Sequence, residues 1–185
     1  MDREHFERVV VIGTSGSGKT SLAERLASAL AVEHIELDAI HWLPDWEMRP
    51  LEDFRGKVTE ALAGETWVAD GNYSKVRDIV WGRATTLVWL NYSRAVVLWR
   101  IVTRTLKRSV RQEVLFSGNQ ESLSTAMFGK DSIVVWSMGT FARRRREYPQ
   151  LFKEAAYAHL NVVELRRPKQ AAAFLARIRI KGNEK

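Results

Sequence analysis

The sequence predicts an α/β fold: an open, five-stranded parallel sheet with helices on both faces. Three observations carry that prediction. Short apolar runs alternate along the chain with helical patterns, the arrangement of strands joined by crossover helices. At 185 residues the chain can bury one substantial core and is too short for two ordinary domains. A glycine-rich turn, Gly13-Thr14-Ser15-Gly16-Ser17-Gly18-Lys19-Thr20, joins the first apolar run to the first helical one.

Taken in order, the first strand is expected over 8–13, where Val9-Val10-Val11-Ile12 is β-branched throughout and Gly13 ends the run. A helix follows over 18–31, then a second strand over 34–38 that closes on Asp38. Pro50 opens a helix over 51–63, and Trp67-Val68-Ala69 forms the heart of a strand over 66–70 that stops at Gly71. A helix is expected over 73–80, a strand over 86–91 and a long helix over 94–112, with more helix within 131–158. The last strand falls at 161–165, and Pro168 opens a final helix over 168–180. Periodicity is weakest over 113–131, where a cover over the site is expected. The chain is therefore read as a single domain over 1–185, with an acceptor-binding insertion near 39–65 and a lid region near 104–146.

Composition narrows the classes. There are no cysteines, which excludes disulfides and thiolate metal sites and suits a reducing compartment. The charged start, Met1-Asp2-Arg3-Glu4-His5, and the brevity of the first apolar run predict neither a signal peptide nor a membrane span, so a cytoplasmic location is expected. The net charge of +7 is uneven: residues 1–90 carry 10 basic and 15 acidic side chains, residues 91–150 carry 11 and 4, and residues 151–185 carry 8 and 3. A basic second half suits nucleic acid, a membrane surface or a polyphosphate ligand, and charge alone does not choose among them.

The glycine-rich turn chooses. Gly13 to Thr20 fills every position of G-x-x-x-x-G-K-[ST], the Walker A phosphate loop, between a predicted strand and a predicted helix. Its glycines let successive N–H groups converge on a phosphate, and the helix beginning near Gly18 and running through Ser21 adds the positive end of its dipole. In this pattern Lys19 reaches the β- and γ-phosphates of ATP and the Thr20 hydroxyl ligates Mg²⁺. A ligand-free glycine turn is the plain alternative.

Open sheets bind ligands beyond the carboxyl ends of their strands. Asp70 emerges there from an apolar strand, as the Mg²⁺-side partner of a phosphate loop or as a helix cap. Asp38 closes the second strand and is a candidate to accept a proton from, or orient, the acceptor; a cap or loop residue is the alternative. Trp42 and Trp46 follow, as an acceptor pocket over 38–46 or as ordinary core, and His41, with no metal-ligand partner nearby, is read as a polar pocket or surface residue. On the helix near 94–112, Arg100, Arg104, Lys107, Arg108 and Arg111 fall within about 100° of one another, opposite Leu98, Ile101, Val102 and Thr105. No acid interrupts this stripe, which is a solvated face or a phosphate-facing lid; Arg104 and Arg108 are the lid candidates. The run Arg143-Arg144-Arg145-Arg146 cannot place all four guanidiniums on one face.

In this order, the phosphate loop, Asp38, Asp70-Gly71 and an arginine-rich region resemble the adenylate-kinase-like P-loop kinases, a group holding nucleoside monophosphate, shikimate and gluconate kinases. The stretches Glu36 to Trp42, Trp67 to Tyr73 and Arg143 to Pro149 sharpen the likeness toward bacterial proteins described as DNA topology modulation proteins, over nearly the whole chain. The resemblance implies a sheet ordered 2-3-1-4-5, ATP on the phosphate loop, an acceptor between strands two and three and the lid, and Arg166, Arg167 and Pro168 where related kinases wrap adenine. The chain departs from nucleoside monophosphate kinases in reading Asn72-Tyr73 where they carry a Pro-Arg pair, and in leaving only about 28 residues between strands two and three.

The expected activity is a Mg-ATP-dependent phosphotransferase with a small hydroxyl- or phosphate-bearing acceptor, a nucleoside monophosphate being the best single guess. The alternative is an ATP-binding protein acting on DNA or a protein partner; no helix-turn-helix, zinc-finger or RNA-binding pattern accompanies the basic residues. A GTPase lacks support, since no Asn-Lys-x-Asp motif follows.

Overall fold

Side chains alternate between the faces of an extended chain, and in a sheet covered on both faces each strand therefore feeds two cores. In β1 (Arg8–Gly13), Val9 and Val11 point into one apolar cluster and Val10 and Ile12 into the other, all four fully buried. The computed structural model describes residues 3–111 and 133–182, with side chains described over 5–103 and 139–178. β2 (Glu33–Glu36), β3 (Trp67–Asp70), β4 (Thr86–Leu90) and β5 (Asn161–Leu165) complete a sheet ordered β2-β3-β1-β4-β5, with every neighbouring pair parallel. This is the predicted order.

The first face is covered by α1 (Lys19–Leu30), α5 (Arg94–Arg111) and α7 (Pro168–Gly182), through Leu22, Leu26, Val97, Ile101, Phe174 and Leu175. The second is covered by α3 (Leu51–Ala61), α4 (Arg77–Arg83) and α6 (Ile133–Leu151), through Phe54, Val58, Val80, Trp81 and Tyr148. Burial of each such aliphatic or aromatic side chain contributes about 1.5–3 kcal/mol. Trp67, Ala69, Leu87 and Trp89 face this second layer, and Val68, Val88 and Leu90 the first.

Two expected elements come out differently. The second strand ends at Glu36, and Leu37–His41 forms a single helical turn, α2, so Asp38 stands on that turn rather than at a strand end. Leu37 is 1% exposed and packs where a side chain on Gly71 would lie, which bends the chain inward after the ladder ends. The helix expected over 73–80 is a 3-10 turn, Ser74–Val76, followed by α4; Val76 leaves helical geometry at φ −127°, ψ 12° to bury its side chain completely. The cover expected over 113–131 lies outside the described residues. Among the described residues, no helix is long and apolar enough to cross a membrane.

Candidate functional site: a phosphate loop and its acidic floor

β1 delivers the glycine-rich loop at the centre of the sheet's carboxyl edge, flanked by β3 and β4. The loop has the geometry its glycines were expected to permit. Gly16 has φ +79°, and a side chain there would run into Ile101; Gly18 has φ +85° and caps α1 in the left-handed region. The Ser17 N–H donates to the Thr14 carbonyl at 2.9 Å, closing the turn. Ser17 is fully buried, and its Oγ has no hydrogen-bond partner among the described residues. Thr14 is buried, Ser15 and Lys19 are half-buried, and Ser21 is exposed on the first turn of α1.

Beneath the loop lies an acidic floor. The parallel register sets Glu36 beside Asp70, and Asp70 beside Val11, so two carboxylates meet at adjacent strand ends. The Thr20 hydroxyl stands 3.1 Å from Asp70 Oδ1 and 3.3 Å from Glu36 Oε1, able to donate to either. His34 Nε2 lies 2.9 Å from the other oxygen of Asp70, a carboxylate that is fully buried. That hydrogen bond raises the His34 pKa above its ordinary value, against the opposing effect of burial. Burial, then the charges of Asp70 and Asp38, push Glu36 up to about 7. Thr20, Asp70 and Glu36 thus present the hard oxygen donors that Mg²⁺ takes. Among the described residues no cluster of three or more His, Cys, Asp or Glu side chains that could hold a metal ion occurs.

Glu36 was not among the expected site residues. With the strand drawn to 38, Asp38 took its place; the signal that finds Glu36 is its cross-strand pairing with Asp70. Asp38 instead accepts a hydrogen bond from the Tyr73 hydroxyl at 2.6 Å. Burial first, and Asp38 second, hold that phenol well above its usual range, so it stays a donor. Around them His41, Trp42, Phe54 and Tyr73 form an aromatic nest: His41 sits 4.5 Å from Tyr73 and 4.8 Å from Phe54, ring to ring. Trp42 meets Trp46 edge-on at 5.6 Å, and Trp46 is 37% exposed. A small cleft opens beside this nest, lined by Leu37, Asn72, Tyr73, Arg77, Trp81 and Tyr148 among others.

Asn72 joins the cleft to the loop. The Gly13 N–H donates to its Oδ1 at 3.2 Å, its Nδ2 donates to the Gly13 carbonyl, and the Tyr148 hydroxyl donates to the same Oδ1 at 3.3 Å.

Of the cations, Arg100 is the one of the α5 stripe with a described side chain. Its Nη1 donates to the Ser17 carbonyl at 2.5 Å, and its guanidinium lies 5.1 Å over the Tyr92 ring. The side chains of Arg104 and Arg108 lie outside the described residues. In the 143–146 run the guanidiniums do diverge: Arg144 is 8% exposed, with burial lowering its pKa, Arg143 pairs with Glu147 at 3.7 Å, and Arg145 lies over Phe141. Arg166 pairs with Glu164 at 2.9 Å, while Arg167 is exposed at the start of α7.

Among solved structures, the chain is similar to a gluconokinase from Sinorhizobium meliloti 1021, with 22% identity, a TM-score of 0.51 and 97% of each chain covered. It is similar also to the shikimate kinase from Bacteroides thetaiotaomicron, with 18% identity, a TM-score of 0.53, and 94% of this chain and 97% of that one covered. No protein-family model matches the sequence, and neither does any curated protein. At these identities the likeness is one of fold, the five-stranded parallel sheet ordered β2-β3-β1-β4-β5 with helices on both faces.

Proposed function

We propose that this chain is a Mg-ATP-dependent phosphotransferase that acts on a small acceptor. The observation that carries the reading is the Thr20 hydroxyl held 3.1 Å from a fully buried Asp70, at the root of a loop whose glycines open its backbone toward an anion. A bare glycine turn has no need of a buried carboxylate facing its first helical hydroxyl. The two similar structures are a gluconokinase and a shikimate kinase, which agrees with a small acceptor.

The roles divide by position. The loop from Gly13 to Thr20, with Ser21 behind it, would bind the phosphates of ATP, with Lys19 as its fixed positive charge. Thr20 and Asp70, with Glu36 alongside, would hold Mg²⁺, which when bound neutralises charge on the phosphate oxygens. His34 orients Asp70 from behind by occupying its second oxygen. Asp38, fixed by the phenol of Tyr73, a residue that lines the cleft, would accept the proton of an acceptor hydroxyl. Arg100 holds the Ser17 carbonyl, and Arg104 and Arg108 on the same helix would close over the phosphates. Arg167 would border the adenine at the end of β5.

The test is ADP release from Mg-ATP by the purified protein with a panel of nucleoside monophosphates and small hydroxy acids, beside Lys19→Ala. The expected result is acceptor-dependent ADP release that falls by about 10³-fold or more in the variant. Release that is unchanged in Lys19→Ala would exclude catalysis at the phosphate loop. ATP binding without acceptor stimulation, together with DNA binding that falls steeply with salt, would instead favour a DNA-directed protein of the topology-modulation kind.

A further inference from the structure

The side chain of Asn72 does something a loop residue seldom does: it continues a parallel sheet. The backbone ladder between β1 and β3 runs from Arg8 and Trp67 to Val11 and Asp70. After a last 3.4 Å bond from the Gly71 N–H to the Val11 carbonyl, the two chains separate. The carboxamide of Asn72 then takes the place of a strand residue, accepting from the Gly13 N–H and donating to the Gly13 carbonyl. Both polar groups of the first phosphate-loop residue are thereby held by one side chain. A carboxamide suits this position because it offers an acceptor and a donor on two separate atoms, one for each group of Gly13.

The same Oδ1 accepts the Tyr148 hydroxyl from α6 at 3.3 Å. Asn72 and Tyr148 both line the cleft, and the Tyr148 hydroxyl reaches the phosphate loop through Asn72. Tyr148 is 3% exposed and wedged between Trp81 and Trp89, so its ring has little freedom to move independently of α6. The geometry points to Asn72 as a positioning residue that couples the cleft to the nucleotide loop: what fills the cleft and moves Tyr148 or Asn72 alters the loop at Gly13, and nucleotide on the loop alters the cleft by the same factor. This rests on the kinase reading, in which the loop binds ATP and the cleft receives the acceptor.

A double-mutant cycle on ATP affinity tests it, with binding followed by calorimetry in the presence of Mg²⁺. Asn72→Asp keeps the shape but sets an acceptor against the Gly13 carbonyl, and Asn72→Ala removes both bonds; each is expected to weaken ATP binding by about tenfold. Tyr148→Phe keeps the ring and removes only the hydroxyl, and is expected to weaken ATP binding by about threefold, the effect of one modest hydrogen bond. In an Asn72→Ala background the Tyr148→Phe effect should disappear, because the two act through one contact. A purely structural role would lower the melting temperature of both variants and leave their effects on ATP additive. Additive effects, or Tyr148→Phe binding ATP like the wild type, would overturn the coupling while leaving the kinase reading intact. A wild-type protein that binds no ATP would overturn both.

Discussion

Gly16 shows how tightly a single residue is tied to this site. Its φ of +79° lies in the left-handed region, and the space a side chain would need is filled by Ile101 of α5. Gly16→Ala therefore pays twice, about 1–3 kcal/mol for the backbone conformation and more for the displaced isoleucine. Chemical denaturation should show that loss of stability, and ATP affinity should fall with it because the loop N–H groups no longer converge. His41 gives a second prediction at this scale. It is 7% exposed amid Trp42, Phe54 and Tyr73, and its Nδ1 lacks a hydrogen-bond partner among the described residues. Burial lowers its pKa from the ordinary 6.5, ahead of the raising effect of Asp38 and the lowering effects of Lys75 and Arg49. Below 6.5 the unfolded chain takes up the proton more readily than the folded one, so stability is full above that pH and is lost as pH falls through the folded value. The urea midpoint of the wild type should drop more between pH 7.5 and pH 5 than that of His41→Phe; equal drops would mean that His41 is not what acid attacks.

At the scale of elements, the strands were legible and the contacts between them were not. Val9 to Ile12, Trp67 to Ala69 and Thr86 to Leu90 announce themselves as apolar β-branched and aromatic runs, and every one is buried. Their parallel order follows from the helices between them. Glu36 escaped notice because its importance lies in register: it matters only as the residue opposite Asp70, and a one-dimensional pattern carries no register between strands 30 residues apart. Asn72 likewise stood out as a departure from nucleoside monophosphate kinases, but its hold on Gly13 needs the two strand ends side by side. For α5 the stripe of cations could be drawn on a helical wheel, and which of them meets the loop could not. Arg100 does so, one turn ahead of Arg104, because Tyr92 at the end of β4 offers its guanidinium a ring to lie on and the Ser17 carbonyl lies within reach. Arg100→Met keeps the aliphatic stem and removes both the hydrogen bond and the charge. It should raise the KM for ATP by about tenfold while the melting temperature without nucleotide moves little, since a half-exposed arginine adds little to the core.

The molecule as a whole is divided by charge in the same way that it is divided by sequence. Residues 1–90 supply the acidic floor, with 15 acids to 10 bases, and the remainder supplies the cations, with 19 bases to 7 acids when the two later segments are added. On the proposed function Glu36 and Asp70 would repel the phosphates of ATP unless a divalent cation lay between them, and this sets an order for a whole-molecule measurement. A ligand that binds only the folded state stabilises it by about 2.7 kcal/mol at a hundred times its Kd, which for a chain of this size lifts the melting temperature by about 5–10 °C. ATP with Mg²⁺ should produce that shift, ATP with a chelator a much smaller one, and Mg²⁺ alone almost none, because Mg²⁺ is usually held by one or two carboxylates together with substrate phosphates. In Asp70→Asn the ATP-chelator and ATP-Mg²⁺ shifts should converge, since removing the buried charge removes both the repulsion and the reason for the cation. If ATP shifts the wild type equally with and without Mg²⁺, then Thr20 and Asp70 do not hold a metal, and their contact is a cap on α1 rather than part of a catalytic centre.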